Sequence, residues 1–234
     1  MKPFHTIAIP HEDIKSGALE MSVFAADLWN ASRGEGPEEY SNPEVFFRKT
    51  YETDGLRELL ESVGNRLKGH GGDAVLQVQT PFGGGKTHSM IALYHKAAEW
   101  SAKRVVIVGT VMDGDMTLWG EIERQLTGEI KHLTGKTSPG REALNKVLTA
   151  NKPVLILIDE LMEYMTKASG VKVGDTTLAE QTIAFMQELS EQASSISGIC
   201  VLVTLQSSMM EQSSEAAERL LSKLKMTLGR KEKV

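Results

Sequence analysis

The sequence predicts an α/β domain of three layers, α/β/α, built on a mainly parallel sheet. Three observations carry that prediction. Short runs rich in valine and isoleucine alternate along the chain with segments of helical period, which right-handed crossovers turn into a parallel sheet. Val154 to Ile158 is apolar at every position, as a strand covered on both faces must be. A glycine-rich turn, Gly83-Gly84-Gly85, joins a strand directly to a helix.

Taken in order, Ala18 to Asn30 is expected as a mostly buried helix. Pro43 then opens a short helix with Asn42 as its cap, because a first-turn residue needs no N–H of its own. Leu56, Leu59, Leu60, Val63 and Leu67 fall on one helical face, and Lys68 to Gly72 breaks the pattern. Ala74 to Gln79 reads as a strand, Lys86 to Trp100 as a helix, and Arg104 to Val111 as a second strand. Thr117 to Leu126 is helical, and a further helix runs from near Pro139 to Thr149, capped by Ser138. After the apolar strand, Leu161 to Met165 leads into a loop through Gly170 and Gly174. A long helix from Thr177 to Ser195, a strand from Ile199 to Leu205 and an amphipathic helix from Ser214 to Leu228 complete the series. Residues 1–53 are read as a helical extension packed on a core of residues 54–234.

A chain of 234 residues is long enough for one such domain, and 41% hydrophobic with 24% charged residues describes a folded protein. The net charge of −5 offers nucleic acid no general attraction, which leaves DNA only a local patch. The one cysteine, Cys200, excludes an intrachain disulfide and fits a reduced, cytoplasmic setting. Its place in the apolar run from Ile199 to Val203 reads as core packing and not as a reactive thiol. Met1-Lys2-Pro3-Phe4-His5 does not open a signal peptide, and Val154 to Ile158 is far too short to cross a bilayer. A soluble protein without a membrane partner is expected.

The strongest chemical signal is Thr80-Pro81-Phe82-Gly83-Gly84-Gly85-Lys86-Thr87, placed between the first strand and its helix. Glycines let a backbone wrap an anion with its N–H groups inward, and the helix N-terminus beneath favours negative charge. Lys86 stands where a lysine reaches β- and γ-phosphates, and Thr87 where a hydroxyl binds Mg²⁺. Thr80 replaces the glycine that usually opens this pattern, a position that serves the turn out of the strand. His88 adjoins the loop and is counted with it, although at helical spacing from His95 it also fits packing.

The second signal is Asp159-Glu160 at the carboxyl end of the apolar strand, where open α/β sheets bind ligands. Asp159 is placed to hold Mg²⁺ through water, and Glu160 to act as general base on an attacking water. Such a pair alone is weak evidence, since a solvated acidic strand end looks the same. Behind a phosphate loop, with one strand between, it describes a P-loop NTPase of the branch that adds a strand beside the phosphate-loop strand. That branch is one of ATPases, which sets aside GTPases and small-molecule kinases. Thr204 and Gln206 at the end of the last strand are candidates to sense the γ-phosphate, although any strand must end in something polar.

Other residues carry the blander reading. The six histidines show no metal-ligand spacing, the serines no esterase elbow, and the eleven methionines read as core filler. Tyr40, Phe46 and Phe47 fit core packing better than an adenine clamp, and Arg219 and Arg230 fit solvated positions better than an arginine finger.

The chain resembles an AAA+-like P-loop ATPase family of bacteria and archaea classed as a domain of unknown function. The resemblance rests on Gln79 to His88, Ala92-Leu93-Tyr94-His95, Thr117-Leu118-Trp119-Gly120-Glu121, Ile158-Asp159-Glu160 and the opening Ile7-Ala8-Ile9-Pro10-His11-Glu12-Asp13. It implies the Walker A and Walker B roles given above, with Lys86 and Glu160 catalytic, and ATP and Mg²⁺ bound. Family members are usually longer, so the fifth strand of the core and its helical lid are expected beyond Val234. Their genes often stand beside those of DNA methyltransferases and helicases in phage-defence neighbourhoods. By that association ATP hydrolysis is expected to drive work on DNA or a defence-system partner protein; a homo-oligomer is an expectation for the full-length protein. The alternative is a nucleotide-dependent switch with slow turnover.

Overall fold

The computed structural model describes residues 15, 26–78, 85–205, 219 and 222–226. Four strands lie in one parallel sheet: β1 (Val75–Val78), β2 (Lys103–Val108), β3 (Val154–Asp159) and β6 (Ile199–Thr204). Their spatial order is β1-β6-β3-β2, so β6 separates β1 from β3. Val108 pairs with Asp159 and Val78 with Thr204, which aligns the carboxyl ends of all four strands.

All six positions of β3 are buried. Val154, Ile156 and Ile158 join one apolar cluster, while Leu155 and Leu157 join another, because successive side chains leave a strand on opposite faces. The first cluster takes in helices α6 (Leu118–Thr127), α7 (Arg141–Asn151), α8 (Leu161–Ala168) and α9 (Leu178–Ser195). The second takes in α1 (Leu28–Ser32), α3 (Pro43–Lys49), α4 (Asp54–Leu67) and α5 (Lys86–Lys96), with the short α2 (Glu38–Ser41) beside them. The fold is therefore α/β, with helices on both faces of a parallel sheet. Each fully buried aliphatic side chain contributes roughly 1.5–3 kcal/mol, so the two clusters set which helix covers which face.

Local sequence explains most boundaries. Asn42 accepts from the amides of Glu44 and Val45, Thr53 from Leu56, and Thr177 forms a capping box with Glu180. Arg66 crosses from α4 to cap α9 from the far end, donating to the carbonyls of Ala193, Ile196 and Ile199. Burial pushes the Cys200 thiol up to about 12, which leaves it an inert core residue.

Several elements differ from the sequence reading. The strand expected to reach Val111 ends at Val108, because Val111 and Met112 both turn back to donate to Val108 O. Ser138 does not cap α7; the helix starts after Gly140, and the Ser138 amide is taken by Gln181. The segment from Leu161 continues as α8 to Ala168, since Leu161, Met162, Met165 and Ala168 all bury on one side. An antiparallel hairpin, β4 (Lys172–Val173) with β5 (Thr176–Thr177), follows where a loop was expected. Of the helix expected over 18–30, residues 18–25 lie outside the described residues, and α1 begins at Leu28. No helix of the described residues is long and apolar enough to cross a membrane.

Candidate functional site

At the carboxyl ends of β3 and β6, four predicted residues meet. Asp159 is 3% exposed and Thr204 fully buried. The Thr204 hydroxyl donates to Asp159 Oδ1, and the Glu160 amide lies 3.0 Å from both Asp159 Oδ1 and Thr204 Oγ1. Thr87 reaches the other carboxylate oxygen, its Oγ1 donating to Asp159 Oδ2 at 3.0 Å. A buried carboxylate must be hydrogen-bonded, and here three donors from three elements converge on one.

Thr87 is brought there by the start of α5. Gly85 holds a left-handed backbone, φ 76° and ψ 18°, and gives the helix no side-chain cap. That conformation favours glycine. Lys86 opens the helix and Thr87 follows it, with the first turn closed by Ser89 N donating to Gly85 O at 2.9 Å. Thr80, Pro81, Phe82, Gly83, Gly84 and Gln206 lie outside the described residues, as does Arg230. Arg219 is exposed on a helical turn.

Glu160 is left-handed too, at φ 54° and ψ 39°, although it is not glycine. Holding a branched-chain-free but bulky residue there costs of order 1 kcal/mol, and such strain collects at functional positions. The turn at Glu160 leads from β3 straight into α8. Glu160 Oε2 accepts from Thr110 Oγ1 at 2.7 Å. Thr110 was not a candidate in the sequence; the signal was its place two residues past the pairing partner of Asp159. Lys167 secures the Thr110 turn, its Nζ donating to the carbonyls of Gly109, Thr110 and Met112 at 3.1, 2.7 and 3.0 Å. Gly109 is required by close approach: a Cβ there would stand 2.0 Å from Glu160 O.

His88 does not join this group. Its ring turns instead against Phe46 and Thr50, and burial holds its pKa below the ordinary value. Phe46 is 1% exposed, in the core, with Tyr40 and Phe47 packed around it.

The oxygen-rich set suits Mg²⁺, a hard cation that keeps several waters. Thr87 gives its hydroxyl proton to Asp159, which leaves the oxygen lone pairs for an ion and makes Asp159 the group that orients them. No cluster of three or more His, Cys, Asp or Glu residues suited to a metal occurs among the described residues.

The family described as DUF499 N-terminal domain matches residues 5–115 and 112–227. The chain belongs to the DUF499 family. Both halves of the site fall inside the match: Gly85 to Thr87 in its first segment, Asp159, Glu160 and Thr204 in its second. No curated protein matches this DUF499 chain.

Proposed function

We propose that this DUF499 domain binds ATP with Mg²⁺ and hydrolyses it, as the core of a P-loop ATPase of the additional-strand branch. The observation that carries the reading is the Thr87–Asp159 hydrogen bond, which joins the helix after the glycine turn to the acidic end of β3. The place of β6 beside β1 agrees with it, since that branch adds a strand next to the phosphate-loop strand.

In this reading the N-terminus of α5 faces the triphosphate, Lys86 supplies a positive charge to it, and Thr87 faces the ion. Bound Mg²⁺ neutralises phosphate charge. Glu160 accepts the proton of the attacking water, and Thr110 orients its carboxylate. Thr204, bonded to both Asp159 and the Glu160 amide, orients them in this reading. The work driven by hydrolysis, on DNA or on a partner protein, rests on the family resemblance alone.

The alternative, a nucleotide-dependent switch with slow turnover, uses the same site. Titration calorimetry with ATP and Mg²⁺ tests the shared premise. Wild type is expected to bind and Lys86→Ala to lose most affinity; equal binding by the two proteins would overturn the site.

A further inference from the structure

Adjacent residues at the start of α5 are anchored on different elements. Thr87 meets Asp159 on β3, whereas His88 Nε2 lies 2.9 Å from Thr50 Oγ1, just past α3. Thr50 has one hydroxyl proton, and it goes to Phe46 O at 2.7 Å. Thr50 therefore accepts from His88, which assigns the ring proton to Nε2. The ring packs on Phe46 with centroids 4.6 Å apart and planes tilted by 30°, and meets Tyr40 edge-on at 6.3 Å. Seven residues on, His95 Nε2 lies 2.8 Å from Tyr40 O; a carbonyl only accepts, so this nitrogen donates as well.

Successive helical residues point about 100° apart, so anchors on neighbours fix rotation about the helix axis. Gly85 supplies no side-chain cap that would do the same. We propose that Thr50 and His88 are positioning residues for Thr87: their hydrogen bond sets the rotation of α5 that carries the Thr87 hydroxyl to Asp159. The segment from Tyr40 to Thr50 thereby governs the metal side of the nucleotide site, so that whatever moves this segment changes Mg²⁺ use. The proposal rests on the ATP-binding reading above.

The test is the Mg²⁺ concentration that half-saturates ATP binding, measured on the whole chain with thermal melts alongside. Thr50→Val and His88→Phe, which each keep shape and remove the bond, are expected to raise that concentration about tenfold, the usual size of an outer-sphere effect. Thr50→Ser, which keeps the hydroxyl, is expected to restore it. Wild-type Mg²⁺ dependence in both Thr50→Val and His88→Phe, whatever their Tm, would overturn the proposal and reduce the pair to packing. If wild type takes up no ATP, the nucleotide reading fails, and positioning is judged without nucleotide from Thr50→Val, Thr87→Val and the double variant. A Tm loss in the double variant smaller than the sum of the singles would sustain the coupling between residues that do not touch; additive losses would overturn it.

Discussion

Thr87 Oγ1 donates to Asp159 Oδ2 at 3.0 Å across 72 positions of sequence. The bond joins the start of α5 to the carboxyl end of β3, where the proposed function puts Mg²⁺. Asp159→Asn keeps the shape but turns an amide N–H₂ toward one of three donors. It is expected to lower stability by about 1–3 kcal/mol in denaturant melts. ATP hydrolysis by the variant should need more Mg²⁺, and EDTA should abolish turnover by wild type.

Glu160→Gln retains the hydrogen bond from Thr110 but cannot take a proton from water. ATP binding is expected to remain while single-turnover hydrolysis falls roughly 10²–10⁴-fold. Normal turnover would assign the base elsewhere. Thr110→Val is expected to lower kcat about tenfold with KM little changed, since it frees the base from its orientation. An unchanged kcat would show that the Thr110 bond does not orient the base.

Gly109→Ala places a methyl group against the Glu160 carbonyl, a backbone atom that cannot swing aside. The expected loss is about 1–3 kcal/mol of stability, read by chemical denaturation, together with a fall in hydrolysis as Glu160 is displaced. Unchanged stability would show that the turn after β2 has more room than the close approach allows.

His88 and His95 both have pKa values pushed below the ordinary 6.5, chiefly by burial; for His95 the bond to Tyr40 O opposes the shift and Arg104 adds to it. The unfolded chain therefore binds protons first as pH falls, and stability drops from about pH 6.5 downward until the folded-state histidines also charge. Tm is expected to be flat above pH 7 and to decline below it. The double variant His88→Gln with His95→Gln should show a shallower decline. An equally steep one would place the acid sensitivity in other groups.

What the sequence made legible was local. Asn42 acts on amides two and three residues away, and the unbroken apolar run of β3 reports burial on two faces. The illegible parts depend on distant partners. Ser138 has the chemistry of a cap, but Gln181, 43 positions on, takes its amide. Arg66 reaches carbonyls more than a hundred residues away, which no window of sequence reports. At the candidate site, Thr87, Asp159 and Glu160 could be chosen by residue type and order. Thr110 could not, because only the β2–β3 register places it beside Glu160. Nor did His88 announce its direction, since the face it shows depends on α3.

The carboxamide of Gln125, on α6, exchanges two hydrogen bonds with the backbone of Val106, at 2.8 and 2.7 Å, on the side of β2 away from β3. A single side chain thus mimics a neighbouring strand. That flank is closed to an intruding segment from another molecule, so fibril growth or strand exchange through β2 would first have to evict a residue anchored in its own helix.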